Sequence, residues 1–177
     1  NSALRAFAPD GKPLWERGLV EDFGAVTTHG GRAPSPVIDG DLVIVNTLIS
    51  AWGTLARGGN RYFAFDKKTG HTVWVSSPQQ RHWDTNYSTP IVASVDGVRM
   101  LIVGGTDGVY HALKVSTGEP IWRVDVSKRA LNNSMVMVGD GVIATHSEEN
   151  FDTNEMGLLT RFDARLRGEI KKEQTKW

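Results

Sequence analysis

AFDKKTGHTVW at residues 64–74 and ALKVSTGEPIW at residues 112–122 place Ala, Thr-Gly and Trp at identical offsets. Two more segments align with them on Gly and Trp: GKPLW at 11–15 and GEIKKEQTKW at 168–177. The first three share one Gly-to-Trp spacing, and the fourth is five residues longer. The tryptophans of the four copies (Trp15, Trp74, Trp122 and Trp177) follow one another at 59, 48 and 55 residues. Propeller blades repeat at roughly 40–50 residues, and inserted loops account for the excess.

A second shared segment precedes each later copy. These are SPVIDGDLVIVN (35–46), TPIVASVDGVRMLIVGG (89–105) and SMVMVGDGVIATH (134–146). Each opens on Ser or Thr and holds an Asp-Gly between two apolar, β-branched runs. That is a hairpin signature, because both central residues of a type I′ turn need positive φ. The repeating unit is therefore two hairpins: strand, Asp-Gly turn, strand, connection, strand, Thr-Gly turn, strand with Trp. The connection is short at GGTDGVYHALKV and expanded at 47–60 and 146–157. The pattern predicts an all-β chain. It is a β-propeller of four-stranded antiparallel blades, here an incomplete segment of about three and a half. One part-blade spans 4–19, and full blades span 34–77, 88–126 and 134–177. The only stretch with any helical character is 48–57. A segment that begins and ends within a repeat reads as part of a longer protein, with about seven or eight blades by the usual size of propellers. Its open end blades imply self-association if they stay uncovered.

Composition removes several function classes. Lys+Arg and Asp+Glu both number 20, which disfavours a nucleic-acid binder. No apolar run is long enough for a transmembrane helix. With no cysteine there is no thiol catalysis, disulfide or thiolate metal site in this segment. Nucleophile-elbow and phosphate-loop patterns are missing, and no catalytic residue is assigned. The histidines (His29, His71, His82, His111 and His146) lack paired ligand spacing. The acidic loop SEENFDTNE (147–155) lacks the glycine placement of an EF-hand, and no metal site is assigned.

The pattern Ala-x-Asp-x-x-Thr-Gly-x-x-x-Trp resembles the tryptophan-docking motif of the PQQ-like (pyrroloquinoline-quinone-type) β-propeller family. Ala64, Asp66, Thr69, Gly70 and Trp74 carry it in full. The next copy keeps Ala112, Thr117, Gly118 and Trp122, with Lys114 in place of the acid. The first copy ends in Trp15 and is one residue shorter; the last keeps Asp163 and Gly168 and ends in Trp177. The resemblance covers nearly the whole chain. It implies a periplasmic or other extracytoplasmic location, which nothing in the residues themselves establishes.

A tryptophan in every unit is a packing device, since a planar cofactor needs one stacking platform. The indole N–H is expected to find a backbone partner. Asp66 and Asp163 are expected to accept from backbone N–H groups of the following turn. Chemistry is better sought in the loops that enter each unit, which gather at the mouth of a propeller's channel. They are residues 20–34, 77–88 and 127–133. Their candidate ligand- or partner-binding side chains are His29 and Arg32; Arg81, His82, Trp83, Asp84 and Asn86; and Asn132 and Asn133. Trp83 lies outside the repeat, so the repeat does not explain it.

Three readings of function follow. In the first, the chain is a non-catalytic binding or assembly platform of the bacterial cell envelope, with protein partners or a small polar ligand and no cofactor. The resemblance extends to outer-membrane assembly lipoproteins of this kind. In the second, it is part of a quinoprotein dehydrogenase that oxidises alcohols or sugars with PQQ and calcium. The family's alcohol dehydrogenases often use a vicinal cysteine pair, absent here, and none of their calcium ligands maps onto this chain. In the third, it is a sensor repeat fused to another domain.

Overall fold

The computed structural model describes residues 3–24, 35–46, 60–79 and 87–176. Four antiparallel sheets succeed one another along the chain. The first is a ribbon of β1 (Ala3–Phe7) and β2 (Pro13–Gly18). The second is a meander of β3 (Val37–Asp39), β4 (Leu42–Asn46), β5 (Tyr62–Asp66) and β6 (Thr72–Ser76). The third repeats it with β7 (Ile91–Val95), β8 (Val98–Gly104), β9 (Val109–Lys114) and β10 (Pro120–Asp125). The fourth contains β11 (Val136–Val138), β12 (Gly141–Glu149), β13 (Met156–Asp163) and β15 (Thr175–Lys176). This is the all-β, blade-by-blade architecture that the repeat predicts.

The registers superimpose. Ala64 pairs with Ile44 and Trp74, and Ala112 pairs with Ile102 and Trp122. Buried clusters lie between the sheets. Ile44, Tyr62, Ala64 and Trp74 pack against Leu101, Val103, Leu113 and Val115 of the next sheet. Met100, Ile102, Tyr110, Ala112 and Trp122 do the same against Val142, Ala144, Phe162, Ala164 and Ile170. Each fully buried Phe or Leu there contributes about 1.5–3 kcal/mol.

Three sequence expectations are corrected. The third sheet has five strands, because β14 (Gly168–Glu169) leaves its own unit and pairs in parallel with β10, Trp122 opposite Gly168. The five extra residues of the last copy make this detour. Ile170 donates its amide to Arg123 O at 2.8 Å and is buried, and a 3₁₀ turn at Lys172–Gln174 returns the chain to β13 through β15.

Second, a helix is present at Leu19–Phe23, labelled α1. Gly24 ends it at φ +64, with its N–H on Leu19 O and Val20 O. Phe23 lies 4.6 Å from the Phe63 ring, so tertiary packing holds a turn too short to persist alone. The candidate helix at 48–57 falls outside the described residues.

Third, among the described residues only Asp96-Gly97 is a two-residue turn with both φ values positive, 49° and 75°. In the second and fourth sheets the turns are Gly40-Asp41 and Gly139-Asp140, with glycine first at φ +57 and +59. The register that buries the correct face of each strand shifts the turn by one residue.

Candidate functional site

The repeated motif is used up between the sheets. Trp15 Nε1 donates to Lys67 O at 3.0 Å, Trp74 Nε1 to Val115 O at 2.8 Å and Trp122 Nε1 to Ala164 O at 3.1 Å. Each acceptor is the residue after the motif's acid position in the following sheet. Gly70 and Gly118, at φ +70 and +74, lie under the indoles. A β-carbon on Gly70 would sit 2.6 Å from Trp15, and one on Gly118 would sit 2.6 Å from Trp74. At Gly168 nothing lies within 4 Å of that position, because the strand has been diverted. Trp122 instead meets Phe162 edge-on, with centroids 5.2 Å apart. Trp177 lies outside the described residues.

The turns behave as their chemistry demands. Asp66 Oδ1 accepts from Lys68 N, Thr69 N and the Thr69 hydroxyl at 2.8–3.0 Å, and these bonds lower its pKa. Asp163 accepts from Arg165 N at 2.9 Å. The Arg165 side chain, then its backbone N–H, holds the Asp163 carboxyl at about 2.

The opposite rim, where the described residues of the entry loops (Gln79, Tyr87 and 127–133) approach one another and the β8–β9 and β12–β13 loops, is the candidate site. Seven of the nine side chains singled out there (His29, Arg32, Arg81, His82, Trp83, Asp84 and Asn86) lie outside the described residues. The other two are exposed. Asn132 Oδ1 accepts from Tyr87 N at 3.1 Å, which joins two successive entry loops. Asn133 stands beside it.

The described part of this rim is a polar lattice that the repeat does not announce. Tyr62 OH donates to Gly104 O at 3.1 Å, and Tyr110 OH donates to Thr145 O at 2.9 Å, each bridging to the next sheet. Both tyrosines stand two residues before the repeated alanine, an offset that could have identified them. Burial raises the Tyr110 pKa, so the phenol keeps its proton. Gln79 Oε1 accepts from Thr106 N at 3.1 Å and from the Thr106 hydroxyl. Buried His111 Nε2 lies 3.2 Å from Asp107 Oδ2. Ser127 Oγ donates to Glu149 O at 3.1 Å, and Lys128 Nζ donates to Thr153 O at 2.8 Å.

His146 is buried in this lattice, with Nε2 3.0 Å from Val126 O and no hydrogen bond at Nδ1 among the described residues. Desolvation lowers its pKa, against the opposing pull of the Val126 and Glu148 carbonyls. The unfolded chain therefore takes up this proton first on acidification. The contribution is complete above about pH 6.5, the ordinary value, and is lost as pH falls below it. The thermal midpoint is expected to drop over that range, and His146→Gln should flatten the drop. Identical pH profiles of the two proteins in thermal melts would refute this.

The described motif indoles are engaged in packing between the sheets. Gly70 lies against one face of Trp15 and Gly118 against one face of Trp74, and Trp74 and Trp122 are buried, Trp122 against Phe162. No three His, Asp or Glu side chains among the described residues group to hold a metal. No described helix is long and apolar enough to cross a membrane.

Comparison with known proteins gives a consistent picture. BamB from Moraxella catarrhalis superimposes with a TM-score of 0.58 at 24% identity, over 92% of this chain and 40% of that one. The C-terminal domain of Pseudomonas aeruginosa PilY1 gives 0.56 at 17% identity, over 92% and 37%. The quinohemoprotein alcohol dehydrogenase ADHIIG from Pseudomonas putida HK5 gives 0.54 at 18% identity, over 81% and 20%. These likenesses establish a shared fold, and the chain spans less than half the length of each. No curated protein matches it in sequence. A family model described as "outer membrane protein assembly factor BamB" matches residues 3–97 and 79–168. With nearly the whole chain covered, the protein belongs to this BamB-like family of PQQ-type repeats.

Proposed function

We propose that this chain is part of a non-catalytic propeller that serves as a binding or assembly platform in the bacterial cell envelope. Its partners are proteins or a small polar ligand at the loop rim. The observation that carries this reading is the fate of the tryptophans: all three described motif indoles donate to a backbone carbonyl of the following sheet. The residues that give the family its quinone-linked signature thus act as clasps, and a rigid stack of clasped sheets is a scaffold for loops. The family description, an outer membrane assembly factor, supports the same class of role and the envelope location. The reading needs no cofactor.

The test is a turnover assay on the full-length protein supplied with PQQ and Ca²⁺, with a dye as electron acceptor. Alcohols and sugars should give no dye reduction above the protein-free control. Substrate-dependent reduction would sink the scaffold reading and restore the quinoprotein dehydrogenase.

A further inference from the structure

The outward face of the fourth sheet departs from the repeat at two paired positions. Where the second and third sheets have Ala64 and Ala112, it has Arg161, paired with Ile143 as they are with Ile44 and Ile102. One pair further along, where they have Leu42 and Met100, it has Gly141. The large residue has moved from one strand to the other. The Arg161 guanidinium lies over Gly141, 2.5–2.6 Å from where a β-carbon would stand. It fills the space of the lost side chain and leaves a positive charge on a face that is apolar in the other sheets.

That charge is only partly offset locally: Asp140 and Asp163 line the same cavity, but the three cations there, Arg161, Arg165 and Lys176, outnumber them. Arg165 already pairs with Asp163 at 2.6 Å and Asp140 at 3.6 Å. Arg161 and the Lys176 ammonium make no hydrogen bond or ion pair among the described residues, and both line a cavity of about 330 Å³ with Asp140, Asp163, Arg165, Phe162 and Gln174. Around it the face is apolar and uncovered: Val136, Val138 and Leu159 are 59%, 55% and 54% exposed. Leu159 holds the position of Tyr62 and Tyr110. Apolar surface of this extent calls for a cover, and a cover that removes Arg161 from water must supply a counter-charge.

We propose that this face receives a further sheet of the same repeat, one that inserts an aspartate or glutamate side chain into the cavity against Arg161. The corresponding faces of the second and third sheets are closed by the sheet that follows. The BamB chain that shares this fold is longer than this one by more than half its own length. A planar guanidinium takes a carboxylate through two parallel hydrogen bonds, so the contact fixes which sheet docks as well as holding it.

The experiment uses Arg161→Lys in the full-length protein, treated with a zero-length carbodiimide and mapped by mass spectrometry. The introduced amine should couple to one Asp or Glu of the same molecule outside the four sheets described above. The Lys172–Asp152 contact serves as the internal positive control. Coupling only to Asp140 or Asp163, coupling to another molecule, or no coupling while the control reacts would each overturn the proposal. Arg161→Ala, which restores the repeat's own residue, gives a second reading by sign. It should lower the thermal midpoint of the full-length protein by several degrees, and Arg161→Glu should lower it further. An unchanged or raised midpoint for Arg161→Ala means an ordinary apolar contact and rejects the carboxylate.

Discussion

Trp122→Ala should destabilise the protein by about 3–5 kcal/mol, the range for truncating a buried aromatic. Trp122 is 2% exposed, sits edge-on to Phe162 and donates to Ala164 O, so the change removes packing across the sheet junction and orphans a buried carbonyl. For a chain of this length the loss corresponds to a fall in thermal midpoint of roughly 6–20 °C. Trp74→Ala, 7% exposed and bonded to Val115 O, belongs to the same class. Trp15→Ala should cost less, because that indole is only partly covered. Thermal melts of the three variants check the order, and a neutral Trp122→Ala would mean the indole does not clasp the sheets.

Gly118→Ala should be damaging for two separable reasons. A non-glycine residue in the left-handed region costs about 1–2 kcal/mol. The added methyl would also stand 2.6 Å from Trp74 Cε3 and 3.1 Å from Ser76 Cβ, and such overpacking typically costs about 1–3 kcal/mol more. Gly97→Ala is the matched control: its φ is +75°, yet nothing lies within 4 Å of the new methyl. The two variants should therefore differ by the overpacking contribution alone. Equal losses in denaturant titrations would place the whole effect in backbone strain and remove the indole contact from the account.

The fold was legible because each clasp is written locally. An Asp to bind the turn, a Gly for positive φ and a Trp at fixed offset must recur in every unit, so counting offsets recovers the sheets. Where local chemistry was weaker, the reading slipped. GDG at 139–141 permits two registers, and burial of Val142 and Ala144, not the dipeptide, selects the one observed. Helix α1 is five residues long, too few to display a helical period, and forms because Phe23 packs against Phe63 and Phe65. The parallel pairing of β14 involves two residues and a partner in another unit, which no periodicity can signal. The rim was half legible. Tyr62 and Tyr110 share an offset from the repeated alanine, but Gln79 with Thr106 and Asp107 with His111 are single pairings made by tertiary approach. Arg161 was not read from the sequence as a departure from the repeat, because its meaning depends on Gly141, one pair further along, which only the register places beside it.

A stack of sheets joined only face to face can shed its members one at a time, each boundary opening on its own account. The detour through β14 removes that freedom from one boundary. To peel the fourth sheet from the third, the chain must break the Ile170–Arg123 backbone bond and draw Ile170 out of the shared cluster, so part of the fourth unit would have to unthread from its neighbour. The last two sheets thus behave as a single block. The β1–β2 ribbon, with Phe7 and Leu14 exposed, has no such tie among the described residues.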